Sequence, residues 1–544
     1  MEYFYPKSVI DVLFEYEPLL KKDKLALLPP GAKHKSVAII GAGAAGICAG
    51  YELLKMGLIP TIYEVNNRIG GRVYTKKFDL DRDTNLPYAE LGAMRVPSTS
   101  YIFYHYARLL KLTLFNNFPN PGEVDTLIQH ENKTTFWKAK QPFPREFQDL
   151  NMLTRHFLFP LRDQLFNAWE GGDTETVIRI WQYYLDKYAN KSFFEVLNED
   201  SPLAGKEELM RLFGTVGLGH GGFNSLYSIG FMEFLRLIVN CSTQNEITVK
   251  GGMITFLEKL IEEDIQNEEG CCSLKTANCI QLNKAILSID YNSITKNPLL
   301  RIRNEITKEV IEKEYDAVIY TGTTCSAHLL NFTNTTTNGV YLFSNEVRRA
   351  IRDSYMVSSS KTFILTKDKF WKKNKLPRCF ITDELIKASY FIDLPGIEEG
   401  VICLSYTWGM DSIKLMAVDP QDLLIIFLRT FAKADPNIVK HLLPLNNQVI
   451  NINWVKEKYQ NGAFKLLPPG YDKLQEALYF QFQSVLTPED KGVYLAGDGI
   501  SWQGGWIEGA LTTALNSVFA VAKRFNAELV HPNPIDNSVK YFKY

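Results

Sequence analysis

The chain has 544 residues, with 60 Lys and Arg against 61 Asp and Glu, so its formal net charge is −1 at neutral pH. That balance points to neither a nucleic-acid partner nor an anionic membrane surface. The length suits two or three domains around a large core, to which 27 Tyr and 33 Phe contribute much of the bulk.

No apolar run approaches the roughly 18 residues of a membrane span. The start of the chain carries Glu2, Asp11, Glu15 and Glu17 and lacks the basic–apolar–small order of a signal peptide. Eight cysteines lie scattered without metal-ligand spacing, and eight histidines form no HxxxH or HExxH cluster. Cys271-Cys272 sits in a polar stretch and reads as incidental. The expectation is a reduced, cytoplasmic protein without a metal site.

Residues 1–35 read as an amphipathic arm ending in the breaker Pro29-Pro30-Gly31. The apolar run Ser36–Ile40 then leads into Gly41-Ala-Gly43-Ala-Ala-Gly46, a helical stretch to about Met56, a second run Thr61-Ile62-Tyr63, and Glu64. Strand, glycine turn, helix, strand and acid make a dinucleotide-binding unit, placed here at 36–100. Gly41 gives the tight turn, Gly43 and Ala45 allow close approach to a pyrophosphate, and Gly46 brings helix and strand together. The helix start offers free N–H groups to the phosphates. Glu64 suits a ribose hydroxyl pair. By itself the motif leaves NAD and FAD equally open.

Just past the second strand, Asn67-Arg68-Ile-Gly70-Gly71-Arg72-Val73 sets two arginines around a double glycine. This fits the phosphate side of a more extended ligand, a flavin, rather than a nicotinamide nucleotide. The bland alternative is a basic surface turn. Arg95 follows in Glu90-Leu-Gly92-Ala93-Met94-Arg95-Val-Pro97. A guanidinium among such neighbours needs an anionic partner, either a substrate carboxylate or an acid such as Glu90.

From 101 to 243 the pattern turns largely helical, and Phe231, Phe234, Leu235 and Ile238 fall on one helical face. His220, in a glycine loop, reads as a loop histidine rather than a base. Between 244 and 345 strand-like runs return, ending in Tyr315–Tyr320 as a further strand of the first sheet. A β-rich, substrate-side domain is placed at 346–454. There the strand period sets Lys361 beside Phe363 and Leu365, a costly place for a lysine unless it holds a water or a ring edge. The alternative is a strand-end lysine reaching solvent. Ser405-Tyr406-Thr-Trp408, Asn453-Trp454 and Gly462-Ala-Phe464 gather aromatics suited to a cavity wall, though core packing explains any one of them.

The last part of the nucleotide fold is placed at 455–525, with a tail at 526–544. In it, Gly492–Gly497 reads as a strand that ends in Asp498, followed by Gly504-Gly505-Trp506-Ile507-Glu508-Gly509-Ala510 at the start of a long helix. Two such glycine sets in one chain suggest the two halves of a split flavin cradle. The expected fold class is α/β (α+β overall): a split Rossmann-type FAD-binding domain, a β-sheet substrate domain and a helical insertion.

With these residues in view the chain resembles the flavin amine oxidase family, in its branch of L-amino-acid oxidases and monooxygenases. The likeness covers nearly the whole length, through Ser8–Leu13 with Tyr16–Lys22, Gly92–Arg95, Phe231–Arg236, Phe370–Pro377, Ser405–Trp408, Gly462–Lys465 and Gly505–Ala510. The arm and the Phe370–Pro377 segment point to tryptophan-using bacterial monooxygenases. The resemblance implies that Arg95 and Tyr406 hold the amino acid's carboxylate and that Lys361 holds a water at flavin N5. Trp454 and Phe464 would wall the side-chain pocket, and Trp506 would stack near the flavin and the substrate amine. It implies FAD, O2 and an amino acid as reaction partners, and a homodimer. The implied activity is oxidative decarboxylation of an L-amino acid, with L-tryptophan giving indole-3-acetamide. A plain L-amino-acid oxidase and a non-catalytic flavoprotein are the alternatives. Asp498 departs from tryptophan-using members, which can carry cysteine there, and so does His220, which replaces a small residue; both bear on the substrate more than on the fold.

Overall fold

A computed structural model describes residues 14–217, 222–240, 246–267 and 270–536. His220, the segment Ser8–Leu13 and the end of the 526–544 tail lie outside the described residues. A five-stranded parallel sheet runs in the order Ile280–Gln281, Thr61–Tyr63, Val37–Ile40, Ala317–Tyr320, Val493–Leu495. All four residues of Val37–Ile40 and all four of Ala317–Tyr320 are buried, the mark of strands covered on both faces. On one face the helices Ala44–Lys55 and Ile507–Arg524 pack together through small residues such as Ala45, Ala49, Ala510 and Ala514. On the other, Ile289, Leu300 and Ile302 of a three-stranded antiparallel sheet meet Ala38, Val318 and Tyr320. The strands of this layer therefore come from chain segments hundreds of residues apart. The arm is tied to it as well: Tyr16 donates to Oδ1 of Asn516 at 2.5 Å, and Ala26–Leu27 pairs with Glu528–Leu529.

A second, seven-stranded sheet runs in the order Val449–Asn453, Ser359–Thr366, Gly400–Trp408, Ala388–Ile392, Cys379–Thr382, Thr126–His130, Lys133–Trp137. It departs from the sequence expectation twice. The stretch read as helical contributes the hairpin Thr126–Trp137, whose turn residues Glu131 (φ 47°) and Asn132 (φ 64°) are both left-handed, as a tight hairpin demands. The β-rich stretch in turn contains the helix Pro420–Ala434, which lays Leu423, Phe427 and Phe431 on Ile364, Phe380 and Ile402. The strand Ser359–Thr366 is covered on both faces, with all eight of its residues buried, while the edge strand Lys133–Trp137 is largely exposed.

The other face of this sheet carries the helical insertion. Thr174–Tyr188, Phe193–Asp200, Glu207–Val216 and Phe231–Val239 pack Trp181, Phe193, Phe213 and Phe234 into one apolar cluster. Ser192 opens one helix with a reciprocal cap: its Oγ accepts from the Glu195 N–H at 3.2 Å, and Glu195 accepts from the Ser192 N–H at 2.7 Å. Phe193 stacks on Phe234 with ring centres 3.6 Å apart. The apolar face expected of Phe231–Val239 is buried, and so are Glu233 and Arg236 on the same helix.

Those two charges belong to a buried tetrad. Glu233 Oε1 accepts from Arg236 at 2.9 Å and from Lys465 at 3.2 Å, while Arg236 also donates to Asp472 at 2.8 Å. Two cations and two anions thus tie the insertion to the segments that carry Phe464 and Asp472. Removing one member leaves an uncompensated buried charge. Lys465→Met is expected to lower unfolding free energy by about 3–5 kcal/mol, read as a fall in the urea midpoint.

Candidate active site

One cavity runs between the two layers and collects both glycine sets together with the aromatic segments. At one end the first glycine turn is held by hydrogen bonds: the Gly41 N–H donates to Tyr63 O at 2.7 Å, and φ at Gly41 is +108°. A Cβ on Gly46 would lie 1.9 Å from Gly41 O, so only glycine lets the helix close on the turn. The helix begins at Gly43 without a side-chain cap, and Gly43, Ala44 and Ala45 line the cavity. Unpaired first-turn N–H groups and the positive helix end suit a pyrophosphate there.

Glu64 lines the same end. Its Oε2 accepts from the Ala42 N–H and its Oε1 from the Asn66 N–H, both at 2.9 Å, which fixes the carboxylate and leaves acceptor capacity for hydroxyls. Gly71 and Arg72 also line the cavity. Arg72 grips Asp498 with both Nη atoms, at 2.8 and 2.5 Å, and donates to Ala463 O at 3.0 Å. Asp498 accepts in addition from the Gly505 N–H at 3.1 Å. Gly497, Asp498, Gly505, Trp506 and Ile507 line the cavity opposite, again with no side-chain cap on the helix start. Two uncapped helix starts and their glycine turns face one space, and this donor set fits a flavin dinucleotide. Arg68 donates through Nη1 to Ile69 O and Gly71 O and stacks on Tyr74 at 3.7 Å, at the edge of the turn and outside the cavity lining. Gly46 also sits outside the lining, beneath the turn.

At the other end, Gly92, Ala93, Met94 and Arg95 meet Lys361, Tyr406, Trp454 and Phe464 in the same cavity. The backbone of 90–92 hangs from the second sheet: Lys361 Nζ donates to Glu90 O at 3.1 Å and to Gly92 O at 2.6 Å, and Trp454 Nε1 donates to Leu91 O at 3.1 Å. Burial pushes the Lys361 ammonium down to about 8. Lys361 lies directly across from Tyr406 in the neighbouring strand, its Nζ 4.7 Å from that ring. A register shift between Thr362 and Phe363 places the extra residue, Leu404, in the neighbouring strand, while the pairing with Val449–Asn453 runs without a break, so Lys361 keeps the alternation expected with Phe363 and Leu365.

Arg95 has an acidic partner, and it is Glu246 rather than Glu90. Arg95 Nε lies 3.0 Å from Glu246 Oε1, while the guanidinium sits 4.6 Å over the Phe118 ring. Glu90 is engaged elsewhere, accepting from Thr75 Oγ1 at 2.8 Å and from the Met253 N–H at 2.6 Å. Burial works to lower the Arg95 pKa, but Glu246, Tyr390 and Tyr406 outweigh it and hold the group above its ordinary value. The guanidinium is a permanent cation at an end of the cavity that Lys361 shares with the aromatic groups Tyr406, Trp454 and Phe464.

Sequence reasoning missed part of the wall. Phe223, Leu226, Phe234, Leu237 and Ile238 come from the helical insertion and line the cavity beside Trp408 and Leu466. Phe234 and Ile238 stood on the recognised apolar face, but a core stripe and a cavity stripe look alike in sequence. Glu246 had no local signal.

The model of the flavin containing amine oxidoreductase family matches residues 44–522. Tryptophan 2-monooxygenase of Pseudomonas savastanoi is 31% identical over 575 residues, covering 98% of each chain. The enzyme of that name from Pantoea agglomerans pv. gypsophilae is 30% identical with the same coverage. In Rhizobium radiobacter it is 31% identical, over 98% of this chain and 72% of the relative. Among solved structures, a redesigned putrescine oxidase superposes with a TM-score of 0.68 at 15% identity, over 90% of this chain and 99% of the other. Cyclohexylamine oxidase from Brevibacterium oxydans gives 0.65 at 16% identity, again over 90% and 99%. A chain matched along nearly its whole length in sequence and in fold belongs to the flavin containing amine oxidoreductase family, as an FAD-dependent oxidoreductase.

Proposed function

We propose that the enzyme converts L-tryptophan and O2 to indole-3-acetamide, CO2 and water. The observation that carries this reading is the convergence of Arg95, Tyr406 and Lys361 with aromatic walls in the cavity that also holds the nucleotide cradle. The relatives that match 98% of the chain are tryptophan 2-monooxygenases, which supports the choice of substrate.

FAD, when bound, accepts the Cα hydride of the amino acid and passes the electrons on to O2. Gly41 to Ala45, Glu64, Gly71 and Arg72 would hold its nucleotide side, and Gly497, Asp498, Gly505, Trp506 and Ile507 its other half. The Nη edge of Arg95 would meet the substrate carboxylate, with the Tyr406 hydroxyl donating a second hydrogen bond. Burial keeps that phenol protonated, its pKa raised above the ordinary value. Lys361 is fixed by two carbonyls and would hold a water at the reacting end. Trp454, Phe464 and Trp506 would flank the indole and the amine.

The aliphatic and aromatic surface from Phe223, Leu226, Phe234, Leu237 and Ile238 would exclude bulk water. An imino acid kept there meets peroxide, loses CO2 and becomes the amide; one released early hydrolyses to an oxo acid. We also assign a cytoplasmic homodimer. Among the described residues no helix is long and apolar enough to cross a membrane.

The holoenzyme supplied with L-tryptophan in air is expected to give indole-3-acetamide and CO2 by mass spectrometry. Indole-3-pyruvate with stoichiometric hydrogen peroxide would assign it as an oxidase instead. In Arg95→Ala the loss of a charged, buried hydrogen-bonding partner is worth roughly 2–5 kcal/mol. Its apparent KM for L-tryptophan should therefore rise by roughly thirtyfold to a few thousandfold, with bound FAD retained.

A further inference from the structure

Val96 and Ile247 exchange two backbone hydrogen bonds, each 3.0 Å, in an antiparallel bridge; Arg95 and Glu246 each precede a bridged residue, and their side chains meet diagonally across it. Glu246 is 0% exposed and lies outside the cavity lining, behind Arg95. The Arg95 Nε at 3.0 Å is the ionic partner of Glu246, and the Asn120 side chain joins it in favouring the ionised carboxylate. Other charged and titratable groups at the pair are Glu123, Tyr390 and Tyr406, with Asn120 as a polar neighbour. A ligand carboxylate arriving at the far edge of the guanidinium would make two buried carboxylates share one cation. Like charges that close in a low-dielectric site do not both ionise.

We propose that Glu246 is the built-in counter-ion of Arg95 and takes up one proton when a ligand carboxylate reaches the guanidinium. This rests on the reading that Arg95 receives the substrate carboxylate. Glu246 is then a positioning residue. It holds Nε so that the Nη edge faces the cavity, and it gives up its negative charge when the substrate supplies one. The group is poised for this exchange: burial, opposed by Arg95 and aided by Glu123, pushes its carboxyl up to about 7. Below that pH the free enzyme already carries the proton and binding needs no uptake. Above it, each binding event must recruit one.

The test uses holoenzyme and indole-3-propionate, the tryptophan skeleton without its amine, titrated through the flavin absorbance between pH 6 and 9. In the wild type the Kd is expected to be flat below about pH 7 and to rise towards tenfold per unit above it. A pH indicator in weak buffer at pH 8 should report about one proton taken up per ligand bound. Glu246→Gln should bind more tightly than the wild type at pH 9 and lose most of the slope. The residual slope reports Lys361, which sheds its own charge near pH 8 in both proteins. Glu246→Asp should keep the slope, and the uncharged indole-3-propionamide should show none.

The uptake measurement needs only the wild type and stands even where a variant fails to fold. A flat wild-type Kd without proton uptake, while Arg95→Ala loses the ligand, overturns the counter-ion role and leaves the carboxylate site standing. Unchanged binding in Arg95→Ala overturns both.

Discussion

The Arg72–Asp498 pair is the constraint on which the rest of the structure depends. It joins side chains 426 residues apart in sequence, with two parallel hydrogen bonds and little exposure to solvent. One partner sits on the turn after the first βαβ unit, the other on the turn before the last helix. Asp498 also holds the Gly505 N–H, and Arg72 holds Ala463 O. The turn carrying Arg72, the turn from Asp498 to Gly505 and the segment leading to Phe464 are therefore tied together by a single ion pair. Each half of the cradle offers an uncapped helix start, and neither would be complete without the other.

The second constraint is electrostatic. The cavity's far end has one permanent cation in an apolar wall, and the protein neutralises it internally through a carboxylate that solvent does not reach. A buried guanidinium left alone would be costly, and one saturated on every side would have no edge for a substrate. Engaging Nε from behind meets both requirements. The buried tetrad around Glu233 serves a different end. Its charges cancel, it touches no reacting group, and it fixes how the helical insertion lies against the strand carrying Phe464.

Much of this was legible in the chain, for local reasons. The stretch from Ser36 to Glu64 spans fewer than thirty residues, and its glycines, helix and acid act on near neighbours, so spacing alone locates them. Arg95 and Lys361 stood out because each is a charge among apolar residues. What was hidden is pairwise and distant: nothing near Glu246 advertises Arg95. The hairpin at Thr126–Trp137 and the helix at Pro420–Ala434 lay inside regions read by their dominant pattern. A two-residue turn with positive φ is also harder to see when it is built from Glu and Asn than from Asn and Gly.

The backbone of residues 90–92 is suspended by consecutive carbonyls from Lys361 and Trp454, and a Cβ at Gly92 would lie 1.7 Å from Arg72 O. That segment is boxed in from both sheets, so the groups that address the reacting carbon have almost no room to drift. The opposite wall is a helix whose cavity-facing members are ordinary apolar side chains, set on a separate module. Mutation can therefore reshape the pocket from the insertion side while the reactive apparatus stays untouched. Such an architecture can change what it oxidises without changing how.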